Sequence, residues 1–145
     1  MKLLIQRVNR ASVTIDQKPI SHIDTGLLVF LGITHTDSES EIDYLVKKLV
    51  NLRIFEDDNQ KMNLSVLDIK GSILIVSQFT LYADSSRGNR PDFIQAAKPE
   101  IANSLYEKFI DKVMAFGINT KSGVFGGDMV IDIENNGPVT IMIEK

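Results

Sequence analysis

The chain has 145 residues, 43% of them hydrophobic and 24% charged, with a formal net charge of −3 and no cysteine. That length fits one domain that buries roughly two-thirds of its unfolded surface. The negative balance excludes a protein that coats nucleic acid through its overall field but leaves room for a local basic contact, and the lack of cysteine excludes disulfides and thiol catalysis.

The opening residues Met1-Lys2-Leu3-Leu4-Ile5-Gln6-Arg7 lack the long apolar centre and cleavage site of a signal peptide. No apolar run approaches the ~20 residues of a membrane span. The expected location is the cytoplasm, with no membrane partner. Ala11, Val13 and Ile15 then alternate with Ser12, Thr14 and Asp16, the period of a half-buried strand. Gln17-Lys18-Pro19 breaks the run, residues 20–23 form a short strand, and Thr25-Gly26 is a turn. The unbroken apolar run Leu27-Leu28-Val29-Phe30-Leu31 predicts a strand covered on both faces.

Ser38 with Glu41 three residues later is a capping box. Ile42, Leu45, Val46, Leu49 and Val50 follow at helical spacing on one face. Glu56-Asp57-Asp58-Asn59-Gln60 reads as a solvated polar loop, because it lacks the glycine and spaced ligands of a calcium loop. Gly71 opens a second apolar strand, residues 72–77, which delivers Gln78 at its end. Residues 84–91 form a long polar loop of the kind that carries function. Pro99 starts a second long helix, with Ile101, Leu105, Phe109, Val113 and Phe116 expected to face the core and Gly117 to end it. Two final strands are predicted, one around Met129, Ile131 and Ile133 and one around Val139, Ile141 and Ile143. These elements describe a single α+β domain over residues 1–145, with strands in runs rather than in strict βαβ alternation.

Familiar chemical signatures are missing. Two histidines, His22 and His35, cannot make a zinc shell without further ligands, so neither a metal nor a cofactor is expected. No G-x-S-x-G elbow, Walker loop or G-x-G-x-x-G run occurs. Two segments instead suggest sites built from backbone. Ser77-Gln78-Phe79-Thr80-Leu81 places polar groups at the end of an apolar strand, although Thr80 also suits cross-strand pairing and Gln78 suits solvent. Gly137-Pro138-Val139-Thr140 joins a residue that admits close approach to the one peptide bond that takes cis at low cost. A cis bond there would turn two carbonyls to one side. The general X-Pro preference is nevertheless trans, and Asn135-Asn136-Gly137-Pro138 is also a plain hairpin-turn signal. The residues alone leave both readings open.

Read together, Ser77-Gln78-Phe79-Thr80-Leu81 and Asn136-Gly137-Pro138-Val139-Thr140 resemble the two signature motifs of the D-aminoacyl-tRNA deacylase family. Matching stretches run through nearly the whole chain: Gln6-Arg7-Val8, Gly26-Leu27-Leu28-Val29, residues 51–57, Lys61-Met62-Asn63, Gly88-Asn89-Arg90-Pro91, and Phe125-Gly126 with Met129. The resemblance implies mostly antiparallel β-sheets in β/β/α layers, with two main helices packed on one side. It also implies hydrolysis of the ester of D-aminoacyl-tRNA, and of glycine mischarged on tRNA, as chiral proofreading in translation. The implied assembly is a homodimer in which each Gly-Pro segment enters the partner's site and holds the substrate's amino group.

By position, the implied catalytic residues are Ser77, Gln78, Phe79 and Thr80. The implied substrate-binding residues are Gly137, Pro138, Val139, Phe125, Met129 and Arg7. Thr80 is a poor candidate for a nucleophile, since no general base stands near it in sequence; assistance from the terminal ribose hydroxyl of the tRNA is more economical. Arg7, Arg10, Arg87 and Arg90 are candidate contacts for RNA, or else ordinary surface charges. The chain departs from the family pattern at Arg87, Asp92 and Gly127, outside both signatures. The competing readings are a non-catalytic dimer module that binds tRNA or a metabolite, and a dimerisation domain without ligand.

Overall fold

The computed structural model describes residues 1–145. In chain order the elements are β1 (Lys2–Ile15), β2 (Lys18–Ile23), β3 (Gly26–Gly32), α1 (Glu39–Val50), β4 (Phe55–Glu56), β5 (Met62–Leu64), β6 (Ser72–Ser77), a 3-10 turn (Phe79–Tyr82), α2 (Pro99–Met114), β7 (Asn119–Ser122) and β8 (Val130–Glu144). The main sheet runs β2-β1-β3-β6-β7, and β8 pairs with β1. The pairs of β1 with β2, β3 and β8 are antiparallel, while β3–β6 and β6–β7 are parallel. The sheet is therefore mixed, and its parallel half sits where the two helices make the crossovers that parallel neighbours require.

The middle layer explains the unbroken apolar runs. Leu27, Val29 and Leu31 of β3, with Ile73 and Ile75 of β6, face α1 and α2 and meet Leu45, Leu49, Phe109 and Val113. The alternate residues Leu28, Leu74 and Val76 face the other way, onto Val8, Ala11, Val13 and Ile23 from the far half of β1 and from β2. The long β1 thus lies first in the central sheet and then over it, and the chain stacks as β/β/α. Each fully buried leucine or isoleucine here contributes roughly 1.5–3 kcal/mol by leaving water.

Three sequence expectations need correction. The last two strands are one strand, β8, interrupted where it faces Arg7: Gln6 pairs with Thr140, Val8 with Asn135, and residues 136–139 bulge from the ladder between them. There is accordingly no hairpin at Asn135–Pro138. Ile101 lies on the outer side of α2 at 47% exposure, because the core stripe of that helix is Leu105, Tyr106, Phe109 and Val113, and Phe116 lies past the helix end at 46% exposure. The polar loop expected at residues 56–60 is the turn between β4 and β5, with only Glu56 drawn into a strand. Thr80 lies in a 3-10 turn and pairs with no strand.

Candidate active site

The site starts where β6 ends. Gln78 N–H still donates to Leu31 O at 2.8 Å, which holds the strand end to β3. The chain then leaves the ladder and winds into the 3-10 turn, closed by Leu81 N–H to Gln78 O at 3.2 Å and Ala83 N–H to Thr80 O at 3.0 Å. Gly32, at the end of β3, makes room for this turn. A Cβ built there would lie 3.0 Å from Leu81 Cβ, 3.2 Å from Gln78 O and 3.3 Å from the Tyr82 ring.

Beside the turn opens a cavity of about 690 Å³. Ser77, Gln78 and Phe79 form one wall, Phe125 and Met129 another, and Ala96, Ala97 and Ala102 leave the space between loop and α2 unfilled. Phe79 is 55% exposed and packs edge-on against Phe93, with centroids 5.0 Å apart, at the rim. Phe125 leans on Tyr106 at 5.8 Å, and Tyr106 donates its hydroxyl proton to Ile75 O at 2.8 Å. Burial pushes the Tyr106 phenol up to about 12, so it remains a neutral donor that fixes the floor beneath Phe125.

Thr80 is exposed and does not line the cavity. Its hydroxyl oxygen accepts from Gln78 Nε2, and no carboxylate or imidazole bonds to it. The charged residues of the wall are Lys98 and Asp128. Sequence reasoning passed over both. Lys98 is the N-cap of α2, just before Pro99, and Asp128 sits inside the Phe125–Met129 stretch already singled out; a polar residue in each place was the available signal. Gly32 was also missed, and nothing short of the turn's position reveals it.

The second motif lies elsewhere. Gly137-Pro138 is cis and sits in the bulge of β8, with β1 and β3 between it and β6. Within one chain it contributes nothing to the cavity wall. Its support comes from Arg7, which is 5% exposed and is no surface charge. The guanidinium donates through Nη1 to Ile54 O at 2.7 Å, through Nε to Asn136 O at 3.2 Å and through Nη2 to Asn136 Oδ1 at 3.1 Å, with Glu56 3.8 Å away. Gly137 has φ +124, and a Cβ on it would lie 2.9 Å from Arg7 Nη2, so any side chain there is strained and collides with the clamp. Val139 is buried in the main core and anchors the return to the ladder. Arg10 is exposed and pairs with Glu134 at 2.8 Å. His22 and His35 are both exposed, and the structure holds no group of three or more acidic, histidine or cysteine residues placed to bind a metal. No helix is long and apolar enough to cross a membrane.

Known proteins match this arrangement from end to end. The D-Tyr-tRNA(Tyr) deacylase family profile matches residues 4–144. A D-aminoacyl-tRNA deacylase of Fusobacterium nucleatum is 56% identical over 99% of this chain and 95% of its own length. One of Clostridioides difficile is 50% identical over 100% and 97%. The solved structure of a c-Myc DNA unwinding element binding protein superposes with a TM-score of 0.94 at 42% identity, covering 100% of this chain and 99% of that one. A protein described as a probable eukaryotic D-amino acid tRNA deacylase shares the fold at a TM-score of 0.84 and 19% identity. By profile and by full-length identity, the chain belongs to the D-Tyr-tRNA(Tyr) deacylase family.

Proposed function

We propose that the protein hydrolyses the ester of D-aminoacyl-tRNA, releasing free amino acid and tRNA, as one functional domain spanning residues 1–145 in the cytoplasm. The observation that carries this reading is the cavity at the end of β6, walled by Ser77, Gln78, Phe79, Phe125 and Met129 and bordered by the 3-10 turn. A helical start leaves its first amides without intrahelical partners. Here those amides belong to Phe79 and Thr80, since Leu81 is the first to bond back into the turn. Two such donors suit the oxyanion that forms when a hydroxyl adds to an ester carbonyl.

An ester needs less help than an amide, and positioning with oxyanion donors supplies much of a barrier reduction. In the proposed step a water adds to the carbonyl carbon, the negative charge collects on oxygen facing the Phe79 and Thr80 amides, and the carbon–oxygen bond to the ribose breaks. The departing ribose oxygen takes the water's proton, relayed by the neighbouring ribose hydroxyl. The Thr80 hydroxyl takes no part, its oxygen accepting from Gln78 Nε2.

The amino group is held from outside the chain. In a two-fold dimer the Gly137 and Pro138 carbonyls of one protomer would enter the cavity of its partner. β8 pairs with β1 along one edge only, and an unpaired edge of that length invites a second copy. With ammonium and carbonyl both fixed, handedness alone sets the direction of the side chain. A D side chain leaves toward solvent and an L side chain meets the wall, so rejection works by clash. Glycine, with no side chain, is accepted. The test is release of amino acid from matched D- and L-aminoacyl-tRNA. Rapid release from the D ester and almost none from the L ester is expected; binding without release would leave a non-catalytic tRNA-binding module.

A further inference from the structure

Asn136-Gly137 is the one Asn-Gly pair in the chain, and it sits in the second motif with Asn136 half-buried. Asn-Gly is the peptide sequence most prone to spontaneous loss of ammonia, because glycine offers no side chain to hinder its own nitrogen. The Gly137 nitrogen attacks Asn136 Cγ, ammonia leaves, and a succinimide ring forms. Water then opens the ring at either carbonyl, giving aspartate or isoaspartate. Every atom is accounted for by the loss of ammonia and the gain of water, and no oxidant or catalyst is needed.

One feature of this place favours the reaction. Residues 136–139 have left the β1–β8 ladder, so no strand pairing ties the Gly137 amide down. Gly137 is exposed. The side chain of Asn136, however, is held at both ends. Its Oδ1 accepts from Arg7 Nη2 at 3.1 Å, and its Nδ2 donates to Asn9 Oδ1 at 2.6 Å. Asn9 is itself fixed by Nδ2 to Glu134 Oε1 at 3.0 Å. Attack requires Cγ to close on the following nitrogen and become tetrahedral, and hydrogen bonds at both ends of the amide resist that movement.

We infer that Asn136 is a latent deamidation site, and that Arg7 and Asn9 clamp its side chain against succinimide formation. The two products differ in consequence. Aspartate keeps the backbone and puts a carboxylate where Arg7 Nη2 already donates, so the contact becomes a charge-assisted one. Isoaspartate lengthens the main chain by one carbon within residue 136, ahead of the Gly137 nitrogen, displacing the segment that the proposed function places in the partner's cavity. This consequence for activity rests on that function; the chemistry of the clamp does not.

The test is ageing in mildly alkaline buffer, read by peptide mass spectrometry with isoaspartate-specific detection at position 136. Folded wild-type protein should age far more slowly than the urea-unfolded chain. Asn9→Ala should speed isoaspartate formation roughly three- to tenfold, the worth of one hydrogen bond to the amide. Arg7→Lys, which keeps the charge but loses the fork, provides a second variant should Asn9→Ala fold poorly. Equal ageing rates in wild type and in a folded clamp variant overturn the inference, as does a wild-type rate equal to that of the unfolded chain. Separately, Asn136→Asp should keep deacylase activity while isoaspartate-bearing wild type loses it. If unaged wild type releases nothing from D-aminoacyl-tRNA, the function has failed and the mass-spectrometric result still decides the clamp.

Discussion

Thr80 is the residue at which two mechanisms diverge. A nucleophilic threonine needs a base within hydrogen-bond reach, and its only side-chain partner is the Gln78 amide. Thr80→Val should therefore stay within about fivefold of wild-type kcat, whereas loss of a true nucleophile costs on the order of 10⁴ or more; single-turnover release of amino acid distinguishes the two. Gly32 carries the opposite expectation. It touches no substrate in the proposed site, yet a Cβ there presses on Leu81, Gln78 and Tyr82 together. Gly32→Ala should leave a folded protein by circular dichroism but shift the turn that aims the Phe79 and Thr80 amides. A kcat loss of about ten- to a hundredfold is expected, the scale of small misplacements in an active site. An unchanged kcat would show that the turn does not position the reacting atoms.

At the scale of elements, α1 shows how local chemistry announces itself. Ser38 Oγ accepts from Ser40 N–H at 3.3 Å, and the Glu41 carboxylate accepts from Ser38 N–H at 2.8 Å and Ser38 Oγ–H at 2.7 Å. Hydrogen bonds from Ser38 first, then from Ser40, hold the Glu41 carboxyl down at about 2 against an ordinary 4.5. A folded value below the unfolded one means that the contribution is complete above 4.5 and disappears as pH falls toward 2. Hydrogen exchange should show the first turn of α1 opening in that window before the central sheet does, and Glu41→Gln should remove the pH dependence. Ser38→Ala should cost about 1 kcal/mol in denaturant melts. This cap was legible because every partner lies within three residues. The apolar runs of β3 and β6 were legible for a similar reason, since coverage on both faces leaves no alternation. What could not be read depends on distant partners. The single strand β8 looks broken in sequence because its continuity is supplied by β1 across a bulge. Ile101 carries the right spacing for α2 but falls outside a stripe that only the sheet beneath defines, and Phe116 lies past the point where the helix ends. Arg7 looks like any surface arginine until Ile54 and Asn136 close around it.

At the scale of the molecule, the two motifs that mark the sequence do not meet within one chain. Ser77, Gln78 and Phe79 border the cavity, and Gly137-Pro138 lies across β1 and β3 from it. Either one motif is irrelevant to the chemistry or a second copy unites them. The choice can be made by mixing two inactive proteins. Ala96→Trp fills the cavity from its wall and leaves the Gly-Pro segment intact. Gly137→Val forces a side chain into the space of Arg7 Nη2 and Val139 and leaves the cavity intact. Neither homodimer should turn over substrate. In a heterodimer with sites shared between subunits, one site combines both lesions and the other combines two intact halves. Random exchange makes half of the dimers mixed, so activity should return to about one quarter of wild type per total site. Light scattering should report a dimer throughout. If each chain carried its whole site, every site in every mixture would hold one lesion and no activity would return. The regain of function on mixing therefore measures directly whether the bulge in β8 belongs to the neighbouring cavity.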